Sequence, residues 1–387
     1  MPRRIFIECE PLILKYARSF SGYDIATAAL KLKIPEERLR LLEEQKVEIS
    51  LAKVKNMANL YKIPLAYFLL QKVPKDVVIP NDFRIVYASE ADRLSPDVML
   101  VVRKARYVQS VIRDLRESGI EYNFKNVNLT DNIEEIANYF RSILGISMDE
   151  QRGWSDPALA LRRWKDAVEN LDIFVLQQTL PENDISAFCL ADEKPYILVL
   201  NSSEHENRRI FSLFHEIGHI LLHGSGVCTP NNFSRNSFDY IQIEKFCNQF
   251  AASVLVPIAD FKANETVDKM RRLPFERWDP NDIRLLAVLY RVSQEVIYRR
   301  FVQVGILNER KYEQKRTELY KGFEEYKKRA KKKDVIIPQY TKIISRNGRG
   351  FTSLVLRSMY DNRITMSDVA NFLGTTSRHI SEVEAHL

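Results

Sequence analysis

An apolar run from Ile210 to Leu222 carries His215-Glu216-Ile217-Gly218-His219 at its centre. That spacing constrains the chain strongly. On an α-helix, residues i and i+4 stack one turn apart on the same face. On a strand the same two residues would lie about 13 Å apart. The flanking Phe211, Leu213, Phe214, Ile217, Ile220, Leu221 and Leu222 require the helix to be buried along most of its surface. Two imidazoles on one helical face can grip one metal ion, and Glu216 beside the first can take a proton from water there. A buried Glu-His cluster without a metal would carry a heavy desolvation cost. Gly218 costs the helix about 1 kcal/mol relative to Ala, so something must pack very close to the backbone at that point.

The segment Ile243–Pro257 has helical periodicity and a stop at Pro257, and it places Glu244 near the start of a second helix. A Glu with two His is a common catalytic zinc set. His223 competes for the same role, but histidines at i, i+4 and i+8 drift by about 40° per step. It suits the helix end, where its charge complements the dipole. A metzincin would need His at position 225, which is Ser225. Glu204, His205 and Glu206 read as a solvated loop. Tyr240 and Arg235, between the two ligand helices, are candidates to stabilise an oxyanion, and the polar stretch 224–239 is a candidate gate.

These two segments, Phe214–His223 and Glu244–Pro257, resemble the ImmA/IrrE family of metallopeptidases. Its pattern pairs H-E-x-x-H with a later E-x-x-A-N-x-F-A, and here Cys247 stands where the family has Ala. The resemblance implies Zn2+ as cofactor, His215, His219 and Glu244 as zinc ligands, and Glu216 as catalytic base. It also implies a protein substrate, because understood members act on helix-turn-helix repressors and so relieve repression.

The expected fold class is mainly α with a small β-sheet (α+β): an N-terminal helix-turn-helix bundle, a zincin-like peptidase core and C-terminal helical modules. The 387 residues allow two to four domains. Expected boundaries are 1–75 for the helix-turn-helix domain, 76–96 for a linker, 97–262 for the core, 263–330 for a helix-turn-helix-like module and 331–387 for a last helical module. Helices are expected over 11–19, 24–32, 35–44, 51–61, 65–70, 97–118, 131–144 and 154–170, with Asp24, Ser50 and Thr130 as N-caps. Short strands are expected over 173–176, 185–190 and 196–200, where apolar runs bounded by turn residues replace the helical period.

The N-terminal stretch resembles the Cro/repressor-type helix-turn-helix. Arg38, Arg40 and Lys46 are its candidate DNA contacts, opposed by Glu36, Glu37, Glu43 and Glu44. The alternative use of such a module is pairing with another helix-turn-helix protein or with a second copy as a homodimer. An Ala, +3, +5 pattern marks corners at 29/32/34, 287/290/292 and 370/373/375. A net charge of +7 and a pI of about 9.0 permit nucleic acid without requiring it. Apolar runs are too short to span a membrane. Cys9, Cys189, Cys228 and Cys247 form no C-x-x-C pair, so a reducing, cytoplasmic setting is expected.

The primary reading is therefore a zinc endopeptidase. The alternative is a DNA-binding regulator, or a toxin-antitoxin component, whose metal site is sensory or structural. A structural zinc needs a fourth protein ligand and no free Glu base, which favours the enzyme.

Overall fold

The computed structural model describes residues 5–73, 95–116, 124–180, 185–223, 238–329 and 337–387. The described residues are mostly helical with two small sheets. They form two compact units, one reaching Arg106 and the other beginning at Tyr107. No described helix is long and apolar enough to cross a membrane.

The first unit contains β1 (Phe6–Glu8), α1 (Pro11–Phe20), α2 (Ile25–Leu32), α3 (Glu36–Glu44), β2 (Glu48–Ser50), α4 (Leu51–Tyr61) and the first part of α5 (Pro96–Leu115). Asp24 caps α2 as its sequence suggests, accepting from the Thr27 N–H at 2.7 Å. Ser50 does not cap α4 with its side chain. It ends β2, which pairs antiparallel with β1, so its backbone is held by the ladder instead. That pairing is too short to leave a period in the sequence. Across the bundle the buried Arg18 is bidentate to Glu43, at 2.7 and 2.8 Å, and donates to the Tyr23 carbonyl at 2.8 Å. A buried guanidinium satisfied this fully fixes α1 against α3.

The second unit holds the rest of α5, then α6 (Ile133–Leu144), α7 (Met148–Gly153), α8 (Pro157–Glu169), β3 (Ile173–Gln178), β4 (Ala187–Leu190), β5 (Tyr196–Asn201), α9 (Glu206–His223) and α10 (Phe238–Leu255). Asn132, and not Thr130, caps α6, because its side-chain Oδ1 accepts from the Glu134 N–H. Asp156 caps α8, which therefore starts later than the expected Trp154. The strand order is β3-β5-β4, with β3 parallel and β4 antiparallel to β5. Helix α9 lies on β4 and β5, α8 lies on β3, and α10 packs along α9.

Beyond them come α11 (Ile258–Ala263), α12 (Glu265–Arg271), α13 (Pro280–Tyr290), α14 (Gln294–Gln303) and α15 (Glu309–Arg329). One apolar cluster runs from Val127 to Tyr312. Helix α14 buries Val296, Ile297, Tyr298, Arg300 and Phe301 against α10 and α15. Among the described residues this helix has no fully exposed side chain, and it braces the unit.

The Ala corners share one geometry. In each, the +5 N–H bonds back to the Ala carbonyl: Ile34 to Ala29 at 3.1 Å, Val292 to Ala287 at 3.0 Å and Thr375 to Ala370 at 2.8 Å. The residue between is left-handed, namely Lys33, Arg291 or Gly374. This is the backbone closure of a Schellman-type helix end. A further corner, Ile63 to Ala58 at 3.1 Å around left-handed Lys62, repeats it at the end of α4.

The chain ends in α16 (Gln339–Asn347), α17 (Arg349–Tyr360), α18 (Met366–Leu373) and α19 (Ile380–Ala385). This module covers the outer strand β3. Gln177 donates to Ser345 Oγ at 2.7 Å, and Glu169 accepts from the Gly350 N–H at 3.0 Å and the Val175 N–H at 3.2 Å. Gly348, at φ 78° and ψ 155°, sits in backbone space that is essentially glycine-only. A Cβ there would also lie 2.6 Å from Glu169 Oε1 and 2.6 Å from the Val175 carbonyl oxygen. Gly348→Ala should lower unfolding stability by at least about 1–3 kcal/mol from backbone strain, read as a lower urea midpoint. An unchanged midpoint would mean the module does not fold onto β3 in this way.

Candidate metal centre

Helices α9 and α10 supply the site. The rotation of α9 is set by its apolar face: the Phe214 ring lies edge-on to Trp164 at 5.0 Å and to Phe140 at 6.5 Å. With Phe214 locked inward, the next residue, His215, and its partner His219 are left partly exposed. The course of α10 is set at its far end. Arg141 donates to the Val254 carbonyl at 2.8 Å, and Gln151 donates to the Leu255 carbonyl at 2.9 Å. These are orphan helix-end acceptors that Pro257 leaves without intrahelical donors. Burial lowers the Arg141 pKa to about 10, and its guanidinium rests 5.5 Å from the Trp164 ring. Fully buried Arg300 donates to Glu134 at 2.6 Å and to Ser253 at 2.9 Å, tying α14 and α6 to α10.

The two helices meet closely at Gly218. A Cβ on that residue would lie 3.0 Å from Cys247 Cα and 3.0 Å from its sulfur. The close neighbour that the glycine implied is therefore Cys247.

His215, His219 and Glu244 come together at this crossing. The two Nε2 atoms are 3.2 Å apart, and the Glu244 oxygens lie 3.4 Å from His215 Nε2 and 3.3 Å from His219 Nε2. A tetrahedral zinc with bonds of about 2.0–2.1 Å needs ligand atoms roughly 3.3 Å apart. Each histidine is thus about that far from the other and from one Glu244 oxygen, Oε2 for His215 and Oε1 for His219, and one donor atom from each of the three residues lies within 4.8 Å of the others. This is also the only such cluster among the described residues, and no fourth protein ligand completes it there. The side chains are 16, 22 and 31 % exposed, so the open corner remains reachable.

The electrostatics suit a cation. Burial pushes the Glu244 carboxyl up, but hydrogen bonds with His215 and His219 outweigh it and hold the group well below the usual carboxylate range. Burial opposes charge on His219. The adjoining Cys247 sulfur, with Glu244 and Glu216, more than offsets that, and His219 keeps a proton well above the ordinary histidine range. Burial pushes the Cys247 thiol up. A metal requires neutral imidazoles, so protons compete with it for His219. Zinc affinity should therefore fall as pH falls, with protons released on uptake. Titration calorimetry in two buffers of different ionisation enthalpy reads this directly; identical heats would contradict it.

The remaining candidates are placed as follows. Glu216 is buried in α9 directly after His215. Tyr240 is in the first turn of α10, but its side chain, like that of His223, lies outside the described residues, as does all of Arg235. Glu204 is not solvated as its loop suggested. Its side chain is only 7 % exposed, and it accepts from Ser186 Oγ at 2.7 Å and pairs with Arg208 at 3.0 Å. In the first unit Arg40 is paired with Glu36 at 2.5 Å and Lys46 with Glu10 at 2.7 Å. Arg38 is half-buried and has no ion pair among the described residues. The cysteine beside His219 was seen in the sequence only as a departure from a pattern; its contact required the crossing geometry.

Residues 168–302 match the family model of the IrrE N-terminal-like domain, Peptidase_M78. The chain therefore carries a domain of metallopeptidase type. The matched stretch begins at the end of α8 and runs through the sheet, α9 and α10 into α14, so it contains His215, Glu216, His219 and Glu244. None of the curated proteins matches the chain.

Proposed function

We propose that this chain is a zinc-dependent endopeptidase that cleaves a regulatory protein, a helix-turn-helix transcriptional repressor or a relative of one, and so relieves repression. The observation that carries this reading is the convergence of His215, His219 and Glu244 on one point, with donor atoms within 4.8 Å of one another and a carboxylate next to the first ligand. Zinc held there would supply Lewis-acid polarisation of the scissile carbonyl and of the attacking water. Glu216 accepts the proton of that water and delivers it to the leaving amine nitrogen. His215, His219 and Glu244 orient the ion, and Tyr240 and Arg235 remain the candidates for steadying the oxyanion. The absence of a fourth ligand among the described residues favours the catalytic over the structural use of the metal.

The N-terminal unit is assigned to recruiting the protein substrate. Glu37 and Glu44 lie exposed on α3, and Arg40 and Lys46 are committed to carboxylates. A polyanion would have to break those pairs. DNA binding through Arg38, Arg40 and Lys46 is the competing use; it would appear as a gel shift whose salt slope falls in their Ala variants. Solution in the cytoplasm and a homodimer are compatible with this role. The direct experiment incubates the zinc-loaded chain with repressors encoded beside its gene and reads fragments by mass spectrometry. Fragments absent from a zinc-free control are expected; intact repressors in every case would argue against the assignment.

A further inference from the structure

The first unit has a hollow of about 390 Å³ whose walls come from the β1–β2 ladder, α3 and the start of α4. The ladder sets Phe6 opposite Ser50. With a side-chain period of two, Phe6, Glu48 and Ser50 therefore share one face, and Ile49 takes the other. Ile49 is buried, as is Leu42 on α3, while the Phe6 side chain is 51 % exposed. All three border the hollow, which thus has an apolar base and an uncovered aromatic ring at its edge.

Its polar lining is mostly cationic. Arg38 lies one helical turn before Leu42 on α3, and Lys53 lies in the first turn of α4. Neither makes an ion pair among the described residues. Other cations of the same unit differ: Arg18, Arg40 and Lys46 each hold a carboxylate. Glu48 is the single acidic group in the lining, so the hollow is net positive. Arg38 is half-buried. A half-buried guanidinium gains from an anion that restores the hydrogen bonds water no longer supplies in full.

The occupant follows from this pairing of charge and apolar surface. A carboxylate answers Arg38 and Lys53, and an apolar side chain beside it covers the Phe6 ring. Both groups occur together on a short acidic and apolar segment of a protein. A nucleic acid backbone answers only the cations. It would also bring repeated phosphates against Glu37, Glu44 and Glu48, which lie exposed on α3 and β2. We infer that this hollow docks an acidic and apolar segment of a partner protein, with Arg38 and Lys53 holding its carboxylate and Phe6 and Leu42 contacting its apolar side chain. The inference names the surface for the recruiting role proposed for this unit and rests on that role. It depends neither on the metal nor on cleavage.

The test uses the full chain and a short fluorescein-labelled peptide of alternating valine and glutamate. Its anisotropy is followed against the parent and three variants: Arg38→Gln/Lys53→Gln, Arg38→Glu/Lys53→Glu and Phe6→Thr. The valine–lysine peptide and a labelled DNA duplex are run alongside, and a urea titration checks that each variant is folded. The parent is expected to bind the valine–glutamate peptide. The double Gln variant should bind it roughly tenfold more weakly, from two exposed charge pairs worth up to about fivefold each. Phe6→Thr should lose roughly fivefold or more. The double Glu variant should invert the preference and bind the valine–lysine peptide more tightly, a result that a packing role for these residues would not give. No binding of the valine–glutamate peptide by the parent, or equal binding by parent and variants, overturns the inference. Duplex binding that is lost in the same variants, with no peptide binding, overturns it in favour of nucleic acid. Cleavage of a repressor without peptide binding sinks this inference and leaves the proposed function standing. Peptide binding that shows the expected losses, without cleavage of any repressor, supports the hollow and sinks the proposed function.

Discussion

Replacing Glu216 with Gln should lower the rate of peptide cleavage by roughly 10²–10⁴-fold while the bound zinc stays at the parent level. The amide has the shape of the carboxylate, so the buried side chain of α9 keeps its packing. What it loses is the capacity to take a proton. Glu216 lies outside the three-residue ligand cluster, so the ion should be retained. The measurement pairs single-turnover cleavage, followed by mass spectrometry, with zinc quantified per chain. A rate within a few-fold of the parent would remove Glu216 from the proton transfer. A loss of zinc together with rate would make it a ligand.

Glu244→Ala should cost zinc affinity well beyond the 10–100-fold that loss of an outer partner costs, because it removes one of three direct donors and the only anionic one in the cluster. The fold should survive. The side chain is 31 % exposed, and α10 is held at its other end by Arg141, Gln151 and Arg300. The metal-free protein should lose some stability, because Glu244 pairs there with His215 and His219, but it should still fold. Chelator competition and a metal-free urea titration read the two effects separately. Full zinc affinity in the variant would place the third donor elsewhere. Unfolding of the metal-free variant would mean that Glu244 is structural.

The sequence was informative where a period or a spacing carries the signal. The i, i+4 histidines could meet only on a helix, and Gly218 announced a close neighbour before that neighbour was known. The three strands near 173, 187 and 196 were visible as apolar runs bounded by turns, and the structure extends β3 to Gln178 and begins β4 at Ala187. The Ala29, Ala287 and Ala370 corners were legible because their geometry demands a small residue and a fixed offset. The Ala58 corner obeys the same rule, with Lys62 as its left-handed residue.

Other features depend on pairings distant in sequence. Arg18 with Glu43 and Arg300 with Glu134 look like surface charges in a linear reading and are buried or half-buried partners in the fold. Ser50 and Thr130 have the right chemistry for caps, but a β-ladder and a neighbouring Asn132 took those roles. Glu204 looked solvated because its neighbours are polar, yet Ser186 and Arg208 enclose it. The sulfur beside His219 belongs to the same class: only the crossing of α9 and α10 brings residue 247 to residue 219.

The account turns on one cation bound by two imidazoles and one carboxylate. The most direct measurement is an anomalous difference map at the zinc edge from crystals of the zinc-loaded chain. The account predicts a single strong peak about 2.0–2.2 Å from His215 Nε2, His219 Nε2 and a Glu244 oxygen, absent in a His215→Ala crystal. A map with no peak there in excess zinc, or with the ion held by other residues, would contradict it.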